Sequence, residues 1–163
     1  MSTQENLLAA FAGESQANRR YLAFAKKAES ENKKGLAQLF RVAAEGETIH
    51  ALSHFQVAGE VKDSMENIQA AIAGETYEFS EMYPKFMEES TMENNSNALQ
   101  SFTRANEIEK EHAELFQEAL EKNGDIAEQN YYVCEICGHI EIGSAPEKCL
   151  VCGAPKEKFK HVA

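Results

Sequence analysis

The 163-residue sequence has no long apolar run. Its longest unbroken one, Leu7 to Ala12, spans six residues, whereas about 20 are needed to cross a bilayer. The N-terminus also lacks the basic start, the long apolar stretch and the small-residue cleavage site of a secretory signal. We therefore expect no transmembrane helix, no membrane partner and a cytoplasmic protein.

Positive charge is scarce. The chain contains 16 Lys and Arg residues but 27 Asp and Glu residues, so its formal net charge is −11. This sign is wrong for a protein that binds by neutralising phosphates, and we expect no nucleic acid partner. Apolar residues make up 43% of the chain and include nine Phe and five Tyr, which is enough to build a folded globular body.

Proline is absent from the chain before Pro84, and all four cysteines lie near the C-terminus. Ala, Glu, Lys, Gln and Leu dominate up to about residue 122, a composition that favours long helices. Beyond the helices, two of the three Pro and three of the nine Gly accompany the cysteines. The sequence thus predicts a helical domain over residues 1–124, a linker over 125–129 and a small module over 130–163.

Apolar residues spaced three or four positions apart trace four amphipathic helices. Their predicted spans are about 3–30, 35–60, 64–91 and 96–122. Short polar turns separate the helices, and Gly124 marks the end of the last one. This pattern predicts a mainly α protein built on a four-helix bundle.

Acids and histidines interrupt the apolar faces of all four helices. They are Glu14 on the first helix, Glu47 and His50 on the second, Glu75 and Glu78 on the third, and Glu109 and His112 on the fourth. Buried unpaired carboxylates are costly, so five at one level of a bundle require cations. Di-iron and di-manganese bundles use one Glu from each of two helices and a Glu-x-x-His pair from each of the others. The sequence therefore predicts a dinuclear metal site with one extra Glu.

The first two helices are repeated by the last two. The separation in sequence between Glu14 and Glu47 is only one position shorter than that between Glu75 and Glu109. Gly directly precedes a Glu at Gly13, Gly46 and Gly74. Because a mid-helix Gly costs about 0.8–1 kcal/mol relative to Ala, we expect these positions to allow close helix approach or to leave space beside the metals for a small ligand.

Two Cys-x-x-Cys pairs, eleven residues apart, define the C-terminal module: Cys134, Cys137, Cys149 and Cys152. Gly138 and Gly153 follow them, where left-handed backbone lets amides turn toward the sulfurs. The spacing predicts a tetrahedral metal site rather than disulfides. Four thiolates accept zinc as a structural ion or iron as an electron carrier, and the nearby dinuclear site favours iron. His139 and His161 are predicted to lie at the surface.

Together these motifs resemble the rubrerythrin family, in which a ferritin-like di-iron domain precedes a rubredoxin-like domain. The resemblance covers essentially the whole chain and rests on the segments AGESQANRRY, EGETIH, AGETYEFSEMYP, EIEKEH, YVCEICG and CLVCGAPK. It implies a peroxidase that reduces hydrogen peroxide to water in oxidative-stress defence. The implied cofactors are two Fe in a di-iron oxo-carboxylate site and one Fe at the four cysteines.

The resemblance also implies roles for individual residues. Glu47 and Glu109 would bridge the two irons, and one iron would shift between Glu78 and His50 as the site changes oxidation state. The implied catalytic residues are Glu78, His50, Tyr21 and Tyr83, with the two tyrosines holding ligands and supplying protons. A rubredoxin or an NAD(P)H-dependent rubredoxin reductase would be the electron donor.

The link between the second and third helices departs from the ferritin-like pattern, which makes these helices parallel. Residues 59–63 can extend only roughly 18 Å, whereas the helices of the bundle are about 40 Å long. Either the bundle is a plain up-down-up-down one, or helices one and two of one chain pair with helices three and four of another. We predict the second arrangement, a helix-exchanged homodimer with its hinge at residues 59–64.

Two other functions remain open from the sequence. A ferritin-like protein for iron oxidation or storage would use the same bundle, although storage needs no attached electron carrier. A binding module made of a zinc ribbon on a helical scaffold would use the cysteines without any redox chemistry.

Overall fold

The computed structural model describes residues 2–162. Over this range the helices are α1 Thr3–Ser30, α2 Lys34–Val57, α3 Ser64–Tyr77, α4 Tyr83–Met92 and α5 Ser96–Glu121, and a π-helical turn, Glu78–Met82, joins α3 to α4. The four predicted helices are confirmed to within three residues at every end, as is the mainly α fold class. No helix in this range combines the length and apolarity that would let it cross a membrane.

Local chemistry accounts for the helix ends. Asp63 caps α3 because its Oδ1 accepts hydrogen bonds from the amides of Met65 and Glu66, both at 2.9 Å. Left-handed backbone follows four of the helices, at Asn32, Gly59, Asn94, Asn123 and Gly124, as is common at helix C-termini. These residues set the short turns that the sequence predicts.

The chain divides into two compact units, Met1–Lys62 and Asp63–Ala163. The first unit contains α1 and α2, and the second contains α3, the π turn, α4, α5 and the cysteine module. The division falls in the segment that the sequence predicts as the hinge. The predicted boundaries at residues 1–124, 125–129 and 130–163 remain a prediction.

In the first unit, α1 and α2 form an antiparallel hairpin with small residues at its interface. The buried residues are Ala17, Ala25, Ala28, Ala37, Ala44 and Ala51. Asn18 Nδ2 donates hydrogen bonds to the carbonyl oxygen of Ala44 at 2.7 Å and to Thr48 Oγ1 at 2.8 Å. Alanine thus allows the close approach of the two backbones, and the polar contacts set their register.

One side of α2 is apolar and exposed. Leu39, Val42, Ile49 and Val57 are each more than 60% exposed, and their spacing of three, seven and eight residues places them on the same side of the helix. Contiguous exposed apolar surface of this kind marks an interaction site in most proteins. None of the described residues packs over this side of α2 closely enough to bury it.

In the second unit, α3 and α4 pack against α5, whose Ile108, Ala113 and Ala119 are buried. The module that follows contains β1 Tyr131–Cys134, β2 Ile140–Ile142, a 3-10 turn Lys156–Lys158 and β3 Phe159–Val162. The sheet is antiparallel in the order β2-β1-β3, with Tyr131 opposite both Ile142 and Val162.

Candidate metal centres

The hairpin of α1 and α2 brings together Glu14, Glu47 and His50. One ligand atom from each lies within 4.8 Å of the other two, and His50 Nδ1 is 3.1 Å from Glu47 Oε2. The Glu47 side chain is largely enclosed, whereas the His50 side chain is 60% exposed. This set therefore offers two carboxylates and one imidazole, with the imidazole at its open edge.

The second unit contains the corresponding set, Glu75, Glu109 and His112, again within 4.8 Å of one another. His112 Nδ1 lies 3.0 Å from Glu109 Oε2 and 3.9 Å from Glu75 Oε1. All three side chains are at most 25% exposed. Two carboxylates and one imidazole on adjacent helices are the donor types that iron and other first-row metals bind.

Glu75 has an unusual protonation equilibrium. Burial, followed by the hydrogen bond and the negative charge of Glu109, raises the pKa of Glu75 to about 7. Two carboxylates this close disfavour simultaneous ionisation in the absence of a cation. A bound metal would supply the missing charge and release the proton, so the electrostatics of this set fit an iron ligand sphere.

Glu78 lies at the first position of the π turn, beside the second set. It does not join Glu75, Glu109 and His112 in the group whose ligand atoms lie within 4.8 Å of one another. Burial and the charge of Glu109 nevertheless raise the pKa of Glu78, and the charge of His112 opposes them. Glu78 therefore shares the electrostatic environment of the cluster while remaining outside its compact group.

An aromatic triad accompanies each ligand set. Tyr21, Phe24 and Phe40 have ring centroids 5.6–6.5 Å apart in the first unit. Tyr83, Phe86 and Phe102 have ring centroids 5.4–6.2 Å apart in the second. The repeat that the sequence predicts thus extends from the ligands to their packing.

The second repeat is one residue longer than the first, and the π turn contains this extra residue. Glu14 precedes Tyr21 by seven residues, whereas Glu75 precedes Tyr83 by eight. The remaining separations, from tyrosine to the last Glu of each set, are identical, so the extra residue lies in the π turn. π turns arise as single-residue insertions in α-helices, often at functional sites. The prediction of one uninterrupted third helix missed this turn, although the one-position difference between the two Glu-to-Glu separations was its signal.

Tyr83 lies among the carboxylates of the second set. Burial raises the pKa of Tyr83, and the negative charges of Glu109, Glu78 and Glu75 raise it further. The phenol therefore keeps its proton at neutral pH and can act as a donor. Tyr21 is half-buried at the corresponding place in the first triad.

The glycines before the ligands are not explained by close packing within either unit. A Cβ at Gly13, Gly46 or Gly74 would have no atom of another described residue within 4 Å, outside its own helix turn. Close helix approach, one of the two predicted reasons, is therefore absent at these glycines within the units, and the second reason, space beside the metals for a small ligand, remains a prediction.

The four cysteines converge in the module, and none of them forms a disulfide. Sγ of Cys134 is 3.7 Å from that of Cys152, and Sγ of Cys137 is 3.6 Å from that of Cys149. A tetrahedron with metal–sulfur bonds of about 2.3 Å has edges of about 3.8 Å. The sulfurs are therefore already spaced for a tetrahedral metal.

Backbone amides around the sulfurs also suit thiolates. Burial raises the pKa of Cys134, but the amides of Ile136 and Cys137 hydrogen-bond to the sulfur and bring it below the usual value. Gly138 and Gly153 have φ of +90° and +72°, which confirms the predicted left-handed turns after each pair.

The prediction that His139 lies at the surface is wrong. Its exposed fraction is 8%, and its Nδ1 lies 2.8 Å from Glu111 Oε2 on α5. Burial lowers the pKa of His139, but the hydrogen bond and charge of Glu111 raise it above the usual value. The sequence carried no signal for this contact, because it joins two elements that are far apart along the chain. His161 is exposed, as predicted.

Comparison with known proteins covers both parts of the chain. Family models for rubrerythrin and for the rubrerythrin rubredoxin-like domain match residues 5–120 and 132–160. Rubrerythrin-2 of Clostridium acetobutylicum is 37% identical over 97% of this chain and 95% of its own. Nigerythrin of Nitratidesulfovibrio vulgaris is 36% identical over 97% and 85%.

A solved structure of nigerythrin in a partially reduced state matches 99% of this chain and 87% of its own, with a TM-score of 0.59 and 35% identity. The combination of di-iron domain and rubredoxin-like module accounts for both ligand chemistries, with two irons at the carboxylates and histidines and one at the cysteines. The chain belongs to the rubrerythrin family of di-iron oxidative-stress proteins.

Proposed function

We propose that this protein is a non-haem di-iron peroxidase that reduces hydrogen peroxide to water with electrons relayed through its four-cysteine centre. The observation that carries this proposal is the presence, in one chain, of two carboxylate–histidine ligand sets and a four-cysteine site. Reduction of one peroxide to two waters consumes two electrons and two protons. A dinuclear iron site can supply these two electrons, one from each iron. The attached one-electron carrier can then return electrons to the site one at a time.

The proposed di-iron ligands are Glu14, Glu47, His50, Glu75, Glu78, Glu109 and His112. When bound, two ferrous ions supply the two electrons needed to cleave the O–O bond. Glu47 and Glu109 would be the carboxylates shared by both irons, as the family resemblance implies, and each lies close to the imidazole of its own set. Glu78 and His50 are the proposed alternative ligands for the two oxidation states, because Glu78 lies outside its compact group and His50 lies at an open edge.

The tyrosines are the proposed proton donors. Tyr83 keeps its phenolic proton beside three carboxylates and can donate a hydrogen bond to one of them or a proton toward a leaving hydroxide. Tyr21 holds the equivalent place in the first triad. Both would also hold ligand carboxylates in position.

The four-cysteine module receives electrons one at a time, so a rubredoxin or an NAD(P)H-dependent rubredoxin reductase is the proposed donor. We place the protein in the cytoplasm, where reducing conditions keep the four thiols available for iron.

We further propose that the protein is a homodimer in which helices are exchanged. Six residues, 58–63, separate α2 from α3, and they reach about 20 Å. α2 alone is about 36 Å long, so the link cannot return along the bundle as a ferritin-like crossover requires. The first compact unit contains three of the proposed ligands and the second contains four, and a second copy would complete both sites.

The exposed side of α2 supports this arrangement. Leu39, Val42, Ile49 and Val57 form an apolar face on the unit that also contains three of the seven proposed ligands. A second copy of the chain would cover this face while supplying the missing ligands, and the burial of apolar surface would favour association.

The exchange is tested by mixing two inactive chains, Glu47→Ala and Glu109→Ala. If helices are exchanged, a mixed dimer contains one site with both substitutions and one intact site, so co-refolding the two chains restores iron binding at about half of the sites in mixed dimers. Metal analysis of mixed dimers purified through two different tags measures the recovery. A mixture that binds no more di-iron than either parent rules the exchange out.

The peroxidase proposal is tested with Cys137→Ser and, as a matched control in the same turn, Glu135→Gln, which changes an exposed residue. Without the fourth thiolate, steady-state peroxide consumption is lost, but the prereduced di-iron site still reacts once. The control consumes peroxide like the unmodified protein. Unchanged turnover in Cys137→Ser would refute the relay.

The competing functions give different results in the same preparation. A ferritin-like storage protein would accumulate many irons per chain and would not need the cysteines. A zinc-ribbon binding module would contain zinc at the cysteines and lack the visible bands of ferric thiolate. Three irons per chain with peroxide turnover support the peroxidase.

A further inference from the structure

The second unit contains a cavity that begins at its ligand set. The cavity has a volume of about 330 Å³, which is in the range of small-molecule sites. Its lining on α5 begins at His112 and ends at Lys122, about 15 Å further along the helix. Glu75 also lines it, and Glu75 Oε1 lies 3.9 Å from His112 Nδ1. Two proposed metal ligands therefore form one end of the cavity.

The rest of the cavity is mostly apolar and is built by three parts of the unit. The apolar side chains of its wall include Leu115, Phe116 and Ala119 on α5, Ile126 in the segment after α5, and Ile140 and Ile142 on β2. Phe116, Ile126 and Ile142 are still 37%, 46% and 42% exposed. Because apolar surface is more stable out of water, an apolar ligand that covers these side chains gains binding free energy.

The charges of the lining favour an uncharged ligand. Among the described residues that line the cavity, Glu118 and Lys122 are the charged ones besides the two proposed metal ligands. Their charges are opposite, so they give the wall no net preference for an anion or a cation. The ligand that fits is therefore neutral, with a reactive group at the metal end and an apolar part along the wall.

The size of the cavity favours a small molecule over a helix of a second copy. A helix with its side chains is at least about 10 Å across and rises 5.4 Å per turn, so one turn fills about 420 Å³ or more. The cavity, at about 330 Å³, cannot take in a single turn. Hydrogen peroxide, which has no apolar part, makes no use of the wall between Phe116 and Ile142.

We propose that this cavity binds the apolar part of an uncharged organic hydroperoxide and holds its hydroperoxide group at the end formed by Glu75 and His112. The O–O bond then breaks with two electrons and two protons. The oxygen attached to carbon leaves in the alcohol, and the other oxygen leaves as water. The electrons are those that the proposed peroxidase uses for hydrogen peroxide, so this inference rests on the proposed function and adds a substrate class to it.

Binding is tested without turnover, by calorimetric titration of the oxidised, iron-loaded full-length protein. The probe is 2-phenyl-2-propanol, the alcohol formed from cumene hydroperoxide. Saturable binding at one site per chain is expected. Ile142→Asp places a charge against the apolar part of the probe and weakens binding about tenfold or more.

Val162→Asp is the matched control. Val162 and Ile142 both lie opposite Tyr131, on the two edge strands of the sheet, and they are 44% and 42% exposed. Of the two, Ile142 lines the cavity. Val162→Asp therefore keeps the affinity of the unmodified protein. Absence of saturable binding, or equal weakening by both substitutions, overturns the proposal.

A second lining position guards against a local effect on the sheet. Ile126→Asp changes the segment after α5 and is expected to weaken probe binding in the same way as Ile142→Asp. Sedimentation of both variants detects the competing occupant, a second copy of the chain. If both variants lose dimer and the unmodified protein does not bind the probe, the partner's side chains fill the cavity and the proposal is wrong.

Turnover is then compared for cumene hydroperoxide and hydrogen peroxide with the same electron donor. Ile142→Asp is expected to lower the ratio of kcat/KM for cumene hydroperoxide to that for hydrogen peroxide about tenfold, whereas Val162→Asp leaves the ratio unchanged. An unchanged ratio in Ile142→Asp overturns the proposal. If the unmodified protein consumes hydrogen peroxide alone, this inference fails and the peroxidase function stands. If it consumes neither peroxide, both are refuted.

Discussion

The first helical pair, α1 with α2, and the second, α3 with α4 and α5, place the same residue types at nearly the same spacing in different environments. Each pair contains two carboxylates and a histidine around an aromatic triad. In the first pair the histidine is 60% exposed, and in the second it is 25% exposed. The second pair alone has the π turn and Glu78. The two ligand sets are thus alike in residue types, but they differ in the exposure of their histidine and in one inserted residue.

The asymmetry bears on redox chemistry because the two irons would then have different ligands available. A carboxylate and an imidazole stabilise different metal charges, since a carboxylate carries a negative charge and a neutral imidazole does not. If Glu78 and His50 are the alternative ligands that we propose, the ligand set would follow the oxidation state. Two identical halves would lack this choice.

The largest expected effect comes from removing the corresponding ligands one at a time. Glu47→Ala and Glu109→Ala are each expected to lose both di-iron metals, because each residue is a proposed bridge, leaving one iron of three per chain at the cysteines. Iron analysis with the visible spectrum of the remaining centre measures this. If one variant keeps two more irons than the other, the halves are not equivalent as ligand sets.

Glu78→Ala is expected to reduce turnover about 100-fold, at the upper end of the effects seen when groups that tune a metal site are removed. The iron content and the thermal midpoint change little, because Glu78 lies outside the compact ligand group. Glu81→Ala, which changes an exposed residue of the same π turn, is the matched control. Full activity in Glu78→Ala contradicts its role as an alternative ligand.

The tyrosines provide a smaller contrast. Tyr83→Phe is expected to reduce turnover about tenfold, since three carboxylates act on its phenol. Tyr21→Phe is expected to have the smaller effect, because the π turn with Glu78 belongs to the second unit. Both substitutions keep the ring and therefore the triad packing. Steady-state rates at saturating peroxide decide the order, and equal losses would show that the inserted residue does not distinguish the two tyrosines.

The smallest effect is a pH dependence of the metal-free protein. The pKa of Glu75 is raised to about 7 from an ordinary value of 4.5. Its contribution to stability is therefore fully present below about pH 4.5 and is lost as the pH rises through about 7. Urea unfolding of the metal-free protein shows this as a decline that Glu75→Gln flattens, with exposed Glu107→Gln as control. Parallel pH profiles for the unmodified and Glu75→Gln proteins contradict the raised pKa.

Sequence periodicity predicted much of this molecule because helices and Cys-x-x-Cys turns are local structures. The helix ends matched because Asn, Asp and Gly mark them within a few residues. The Glu-x-x-His pairs were recognisable because both members lie on one turn. By contrast, apolar periodicity did not reveal the π turn. A single extra residue changes the spacing of apolar residues too little to be noticed over a helix of this length.

What the sequence determined by itself is the set of chemical groups: four helices, two Glu-x-x-His pairs with further core-facing acids, and four thiolates in two Cys-x-x-Cys turns, all recognisable from local spacing. Only the tertiary structure decided that His139 is buried against Glu111 and that the module therefore docks on α5. It also showed that Leu39, Val42 and Ile49 are exposed. The physical reason is range: hydrogen bonds within a turn follow from neighbouring residues, whereas a contact between distant parts of the sequence depends on how the whole chain packs.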